Sequence, residues 1–566
     1  MNKIKINWRD PLLLIVLFAF LYRLIGVGWG LPNEIRAISL HPDEQVNLLI
    51  ARQGIEPGKF DFTPGFYNYG TLYFTFLRFV SDVVGVYSGG FDAQGQLTPA
   101  GMGSVHLVAR VFNCLFGAIT CGLVFAIGRR FLSTVGAGFA AAACVVAPAL
   151  VVHSRFQTVD AMATMFAVAS LYWCIRGLDS GEKLRRAAIW AGVFAGLSAG
   201  TKYVGFAAAL AMIPVVFLRS SISGQGSAVE TGSRKWLEAG VALIVAIVVF
   251  LITTPGALLE NAVFIRDFTF ELNHSKEGHG IVFAQTAPAF LYHLGNLWLG
   301  FSLMGLLVGL YAFARGAMLK SAPIIVCAVF FVLMYGAVSG GQIKFMRYIL
   351  PTIPALALGL GYVIDLMRAK SDLGKRIGVV LGLAVVGGLD KSGFVASGTM
   401  TAQMLAVDPR DLAGKFLKDK NEVGLVSDPW FWSATVHPEV PMTRMFGPKR
   451  LMEMWAGWSS PKIVRYIPEN PAERYDWDKR LITELKPEYI TFSSFEYGPV
   501  QRIADSKGGT DVEKLFASRY TEFVEELGKA YEIFPGPWDD GLGHRLMVED
   551  MEYIHPRVTI WKRKTP

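Results

Sequence analysis

The chain is poor in charge, in cysteine and in the motifs of soluble enzymes. Only 18% of its 566 residues are charged, against about 25% in ordinary soluble domains. Hydrophobic residues make up 52%, and the mean hydropathy is +0.38. These values exclude a conventional soluble protein and point to a chain that crosses a membrane many times. The five cysteines, Cys114, Cys121, Cys144, Cys174 and Cys327, all lie in apolar runs. They act there as small hydrophobes, with neither a disulfide framework nor a metal-type spacing. No small-x-small cleavage site follows the first apolar run, so that run is expected to stay as a transmembrane helix. Internal repeats and low-complexity linkers are missing. The net charge of +8 would suit a nucleic-acid binder, but Lys and Arg gather at the ends of apolar segments instead of on one face. Membrane lipids are therefore expected partners, and nucleic acid is not.

What the sequence does contain is a series of runs approaching the roughly 20 apolar residues that a span needs. They fall near 12–31, 105–128, 135–152, 160–176, 187–201, 203–218, 237–253, 288–313, 322–338, 347–366 and 377–396. The expectation is a polytopic α-helical membrane protein with about eleven transmembrane helices. With the N-terminus inside, the cytoplasmic connections hold Arg129 and Arg130, then Lys183, Arg185 and Arg186, then Arg219, Arg234 and Lys235, then Arg315 and Lys320, then Arg368 to Arg376. That alternation follows the positive-inside rule. Counting Tyr69–Tyr87 as a span would reverse it, so this run, interrupted by Arg78 and Asp82, reads as an interfacial helix on the outer surface. Residues 1–398 form the transmembrane domain, with a first outer loop at 32–104. From 399 to 566 the hydropathy falls, and a helix at Asp408–Leu417 precedes strand signals at Val423–Val426, Tyr489–Phe492 and Val558–Trp561. A mixed α/β domain on the extracytoplasmic side is expected. Seven of the thirteen tryptophans lie in it, among them Trp430, Trp432, Trp455 and Trp458, which suit core packing or an interfacial anchor, or stacking on sugar rings.

The unusual polar residues sort to one face. His41-Pro42-Asp43-Glu44 sits just past the first span, where Pro and two acids also describe an ordinary helix start. His153-Ser154-Arg155 and Asp160, Lys202, the loop Asn273–His279, and Lys344 with Arg347 all fall on the same outer side. Ionisable groups near hydrocarbon need water, a partner or a substrate. Asp43 is the candidate general base for an acceptor hydroxyl. Lys202 and Arg347 are candidate phosphate clamps, the alternative being ordinary snorkelling cations. Asp160 opens an apolar helix, as an N-cap would, or serves as a second site carboxylate beside Arg155. His274, Glu277 and His279 are candidate ligands of a divalent metal ion, a weak signal at that spacing.

Four stretches then carry a resemblance. Asp43-Glu44 in the first outer loop, Arg155…Asp160 before the fourth span, Gly196-Leu-Ser-Ala-Gly-Thr-Lys202-Tyr-Val-Gly205 and Lys344-Phe-Met-Arg347-Tyr348-Ile-Leu-Pro351 resemble the C superfamily of membrane glycosyltransferases. The nearest branch is the protein O-mannosyltransferase and aminoarabinose-transferase group, over about residues 10 to 370. The resemblance implies a polyprenyl-phosphate-linked sugar donor, one-step inverting transfer, and an acceptor that is a protein, lipid or glycan. It implies Asp43 as the catalytic aspartate, with Glu44 completing the acidic pair, and Lys202, Arg347 and the neighbouring Tyr348 at the donor phosphate, while Asp160 stands by its position as a further candidate catalytic carboxylate. His41, Arg155, His274 and His279 stand as acceptor-side or supporting candidates. Gly70 departs from the pattern, since relatives often carry proline before the interfacial helix, and the tail after 400 has no counterpart. A membrane transporter is the competing reading, because intramembrane charges also mark substrate pathways. The sequence shows no inverted repeat and no paired broken helices. A non-catalytic scaffold would leave the clustered charges unexplained.

Overall fold

The computed structural model describes residues 10–52, 62–93, 95, 97–222, 232–437, 449, 462–506, 508–539 and 550–565. Among the described residues, the named elements of the first four hundred positions are all helices. α1 (Pro11–Leu24) leads through a polar loop to α2 (Pro42–Arg52), followed by α3 (Leu72–Tyr87), α4 (Pro99–Gly128), α5 (Thr134–Val146), α6 (Pro148–His153), α7 (Asp160–Arg176) and α8 (Leu184–Ala199). Then come α9 (Met212–Ile222), α10 (Gly232–Thr253), α11 (Gly256–Leu259), α12 (Asn261–Glu277), α13 (Ala289–Gly300), α14 (Leu303–Met318), α15 (Ala322–Ser339), α16 (Ile353–Arg368), α17 (Asp372–Gly387), α18 (Gly393–Leu405) and α19 (Pro409–Leu417). 3-10 turns at Tyr203–Ala211 and Met346–Thr352 precede α9 and α16.

Several apolar runs prove to be broken. Among the described residues, four helical stretches are long and apolar enough to cross a membrane unaided: α4, residues 236–253, α15 and the continuous run Met346–Arg368. A fifth is reached if α13 and α14 count as one span, but they meet at 117°. The eleven-span expectation thus counts runs that hydropathy alone treats as continuous. The 135–152 run divides because Pro148 has no N–H to extend α5 and holds Ala147 away from helical geometry. The 288–313 run bends where Ser302 caps α14 and Asp390 accepts from both the Ser302 hydroxyl (3.0 Å) and the Met304 amide (3.2 Å). The run at 377–396 ends early, with Gly388 in the left-handed conformation after α17. In α3 the two interrupting charges turn inward, where Asp82 binds Arg52 at 2.9 Å and Arg78 at 3.1 Å. Phe79, Val86 and Tyr87 stay exposed on its other side.

α18 carries the chain past residue 398 into the C-terminal domain, where Asp408 caps α19 through the Arg410 amide. β1 (Glu422–Leu425), β2 (Lys462–Val464), β3 (Tyr489–Ser493), β4 (Tyr531–Ile533) and β5 (Val558–Arg563) form a sheet of order β2-β1-β3-β5-β4. β1 runs parallel to β2 and β3, and β5 antiparallel to β3 and β4. The three strand signals in the sequence fall on β1, β3 and β5. Helices at Ser494–Ser506 and Asp511–Ala530 accompany the sheet. This domain is keyed to the helical bundle by charge: Asp411 accepts from Arg36 (3.2 Å), Asn33 (2.8 Å) and Thr435 (2.6 Å). The Trp29 indole donates to the Ile554 carbonyl at 3.1 Å, and Met551, Tyr553 and Ile554 join the main apolar core of the bundle.

Gly70 explains its own departure from the resembled pattern. The Leu72 amide donates to the Gly200 carbonyl at 2.9 Å, and a Cβ on Gly70 would lie 2.2 Å from that oxygen. The loop before α3 therefore rests directly on the turn that presents Lys202. A Gly70→Ala substitution should cost about 1–3 kcal/mol by overpacking, seen as a lower thermal unfolding midpoint of the purified protein.

Candidate functional site

The site begins where α2 does. Pro42 opens the helix and its first turn carries both acids, so the ordinary helix start and the proposed acidic motif are the same element. The two carboxylates face differently. Glu44 is fully buried and takes the Arg110 guanidinium bidentately, Nε to Oε1 and Nη2 to Oε2, both at 2.7 Å. The Gln157 amide donates to Oε1 at 2.6 Å, and the Ser39 hydroxyl donates to Oε2. Arg110 also donates to the carbonyls of Val27 (2.8 Å) and Trp29 (2.5 Å). Burial pushes the Glu44 carboxyl up, but the Arg110 charge and hydrogen bonds outweigh it and hold it at about 2. Glu44 is thus a bracket joining α2, α4, the 27–30 loop and the 156–158 turn. Asp43, by contrast, keeps its side chain 30% exposed.

Across from Asp43 stands Arg347, in the 3-10 turn before α16. Its Nη2 lies 3.3 Å from Asp43 Oδ2 and its Nη1 3.9 Å from Asp550 Oδ2. The guanidinium lies 4.0 Å over the Phe345 ring. Asp550 comes from the C-terminal domain, with its side chain only 1% exposed, and also lies 3.5 Å from His153 Nε2. His41 packs between Phe156 (4.4 Å) and Tyr553 (5.1 Å), ring centroid to ring centroid. Neither of its ring nitrogens meets a hydrogen-bond partner among the described residues. Burial, partly offset by Asp43 and Glu44, drives its imidazole down to about 4, so it is neutral at pH 7.

The second cation enters from the turn after α8. Lys202 Nζ binds Asp160 Oδ1 at 2.7 Å and lies 4.0 Å above the Tyr348 ring. Asp160 is the first residue of α7 but caps nothing there; its carboxylate is committed to Lys202. Asp160, Lys202, Arg347 and Tyr348 line one small cavity with Thr164, Ser198, Met334 and Pro351. Each cation in it has a carboxylate partner, so neither stands as an uncompensated charge in a buried place.

Other sequence candidates lie elsewhere or fail to converge. Arg155 points away from Asp160 and donates to the carbonyls of Arg23 and Tyr22, both at 3.1 Å, bracing the C-terminal end of α1. His274 and His279 meet each other, Nε2 to Nδ1, at 3.2 Å, while Glu277 is exposed. Among the described residues no group of three or more His, Cys, Asp or Glu is placed to hold a metal ion, so the metal triad expected from these residues is not assembled. Lys344 turns to Thr286 Oγ1 and the Ala287 carbonyl, both at 2.9 Å. Trp430 and Trp432 pack edge to face at 5.1 Å, and the Trp432 indole is tied to Ser427 and Asp428. Trp455 and Trp458 lie outside the described residues.

Three contributors were not singled out from the sequence: Arg110, Asp550 and Tyr553. Arg110 sits inside an apolar run, and a lone Arg there is itself a signal of a buried partner. Asp550 and Tyr553 belong to an acidic, aperiodic stretch that nothing local distinguishes.

The Glu44 bracket makes an acid-stability prediction. A carboxyl whose folded pKa is held below its unfolded value stabilises the fold above the unfolded value and loses that contribution as pH falls, here from 4.5 to about 2. A Glu44→Gln variant, which strands the buried Arg110 charge, should lose about 3–5 kcal/mol at neutral pH and show a flatter stability profile across that acid window. Denaturant unfolding at several pH values measures both.

Residues 100–258 match the family described as dolichyl-phosphate-mannose-protein mannosyltransferase. That stretch holds Arg110, Asp160 and Lys202, while Asp43 and Arg347 fall outside it. Among curated proteins no sequence match is found. Of solved structures, the archaeal oligosaccharyltransferase AglB from Archaeoglobus fulgidus, in complex with an inhibitory peptide and a dolichol-phosphate, is 13% identical with a TM-score of 0.48. That comparison covers 95% of this chain and 76% of the other. ArnT from Cupriavidus metallidurans bound to undecaprenyl phosphate is 14% identical with a TM-score of 0.48, covering 97% of both chains. At these values no residue role passes from either protein to this one. The chain resembles the dolichyl-phosphate-mannose-protein mannosyltransferase family between residues 100 and 258, the stretch that holds two of its four motifs, Arg155…Asp160 and Gly196–Gly205.

Proposed function

We propose that the protein is an inverting glycosyltransferase, which moves a sugar from a polyprenyl-phosphate donor to an acceptor hydroxyl or phosphate on the extracytoplasmic side of the membrane. The observation that carries the reading is the placement of Lys202 and Arg347 on one cavity with Asp43 at the far side of Arg347. The alternation of basic loops supports the side, and the family match over residues 100–258 supports the donor class.

The chemistry follows from charge. The lipid phosphate leaves the sugar readily once its developing negative charge is neutralised, so the reaction needs paired cations and a base more than a general acid. Lys202 and Arg347 supply the cations. Before donor binds, Asp160 and Asp43 hold them. An arriving phosphate, by taking up part of the Arg347 and Lys202 charge, weakens the hold of Arg347 on Asp43. The released Asp43 carboxylate then takes the proton of the acceptor hydroxyl as its oxygen attacks the anomeric carbon opposite the phosphate. The glycosidic bond forms, the bond to phosphate breaks, and polyprenyl phosphate departs. Neutral His41, two residues before the base, packs between Phe156 and Tyr553 and holds the start of α2 against them.

Purified protein given a polyprenyl-phosphate sugar and an acceptor should release polyprenyl phosphate. Asp43→Asn should cut turnover by about 10²–10⁴-fold without abolishing donor binding, and normal turnover in that variant would remove Asp43 as the base. Lys202→Ala and Arg347→Ala should each raise the donor KM by about tenfold or more. Movement of the lipid-linked sugar with no release of polyprenyl phosphate would favour a transporter.

A further inference from the structure

The C-terminal segment brings into the site a carboxylate that the displacement itself does not use. Asp550 Oδ1 accepts the Met346 N–H at 2.8 Å, and Oδ2 accepts the Arg347 N–H at 3.0 Å. The residue before this 3-10 turn, Phe345, offers no side-chain cap, so Asp550 does the capping from more than two hundred residues away. A carboxylate placed at the first N–H groups of a helical turn satisfies donors that have no partner within the turn. It also favours the turn's positive end.

The same carboxylate acts on the side chain. Arg347 stands between two acids, with Asp43 at 3.3 Å on one side and Asp550 at 3.9 Å on the other. Its Nη1 is buried and makes no hydrogen bond among the described residues. A buried guanidinium N–H without an acceptor is unfavourable unless something polar arrives. A phosphate oxygen provides that acceptor. A carboxylate buried this deeply calls for compensating partners, and the Met346 and Arg347 N–H groups with the Arg347 guanidinium supply them.

We infer that Asp550 is a positioning residue: it is supplied by the C-terminal domain and fixes both the backbone and the guanidinium of Arg347, so that Nη1 faces the donor phosphate. This rests on the donor reading above and extends it by making the C-terminal domain part of the phosphate clamp.

The test uses the full-length protein in lipid nanodiscs with undecaprenyl phosphate as the probe, comparing wild type, Asp550→Asn, Arg347→Ala and the double variant. Asp550→Asn should weaken binding about tenfold, which is about 1.4 kcal/mol. In the Arg347→Ala background the same change should matter less than about twofold, because a residue acting through Arg347 has nothing left to position. Asp550→Glu, which keeps the charge, should bind within about threefold of wild type. Unaltered affinity in a folded Asp550→Asn protein overturns the inference, and so do losses that simply multiply, which would mark a general structural role. Failure of the wild type to bind the probe overturns the donor reading and this inference with it. Thermal unfolding of each variant separates loss of binding from loss of fold.

Discussion

The site depends on the ion pair between Glu44 and Arg110. It is buried and bidentate, and the carboxylate and the guanidinium each find further partners in different segments of the chain. A buried pair is of little use for stability alone, since apolar residues of similar volume often do as well. What it provides is registration. The first turn of α2 cannot rotate or slide without breaking several short hydrogen bonds at once. Asp43, one residue away, is thereby held in place with its side chain partly open to water.

Around that fixed point the charges alternate. Going outward from α2, Asp43 is followed by Arg347, then by Asp550 with His153 beside it; on the neighbouring wall Lys202 pairs with Asp160. Charges in a low-dielectric setting interact strongly, so an alternating arrangement is stable at rest and responds sharply when one partner is exchanged. An anionic ligand fits such a lattice by substitution. On the proposed reading, such a ligand would compete with a carboxylate at a cation, and the proposed base and the proposed phosphate contact would be linked through the one Arg347 guanidinium.

Much of this was legible in the residues and some was not. The extended segments at 423–426, 489–492 and 558–561 announce themselves through β-branched and aromatic runs, and they fall on β1, β3 and β5. The alternation of basic loops grouped Asp43, Lys202 and Arg347 as an expectation, and in the structure Asp43 meets Arg347 while Lys202 and Arg347 line one cavity. Hydropathy sums over a window, however, and does not register a single Pro148 or the Asp390 hydrogen bonds that bend a run, so the count of eleven spans exceeds the unbroken helices. Sign and burial were legible; partnership was not. Arg155 is close to Asp160 in sequence yet spends its donors on the end of α1, while Glu44 finds its partner in the middle of α4. Asp550 was invisible because its meaning lies entirely in what it meets.

The insertion of Met551, Tyr553 and Ile554 into the core of the helical bundle bears on how the molecule is made. Asp43 and Asp550, which both meet Arg347, lie far apart in the chain, so Asp43 is synthesised well before the segment that reaches Arg347 from the other side. Until that segment has been synthesised and has reached its place, the core lacks Met551, Tyr553 and Ile554 and Arg347 lacks the Asp550 carboxylate. Assembly is therefore ordered by synthesis itself: the helices emerge first, and the surroundings of Arg347 are completed only by a segment that follows most of the sheet.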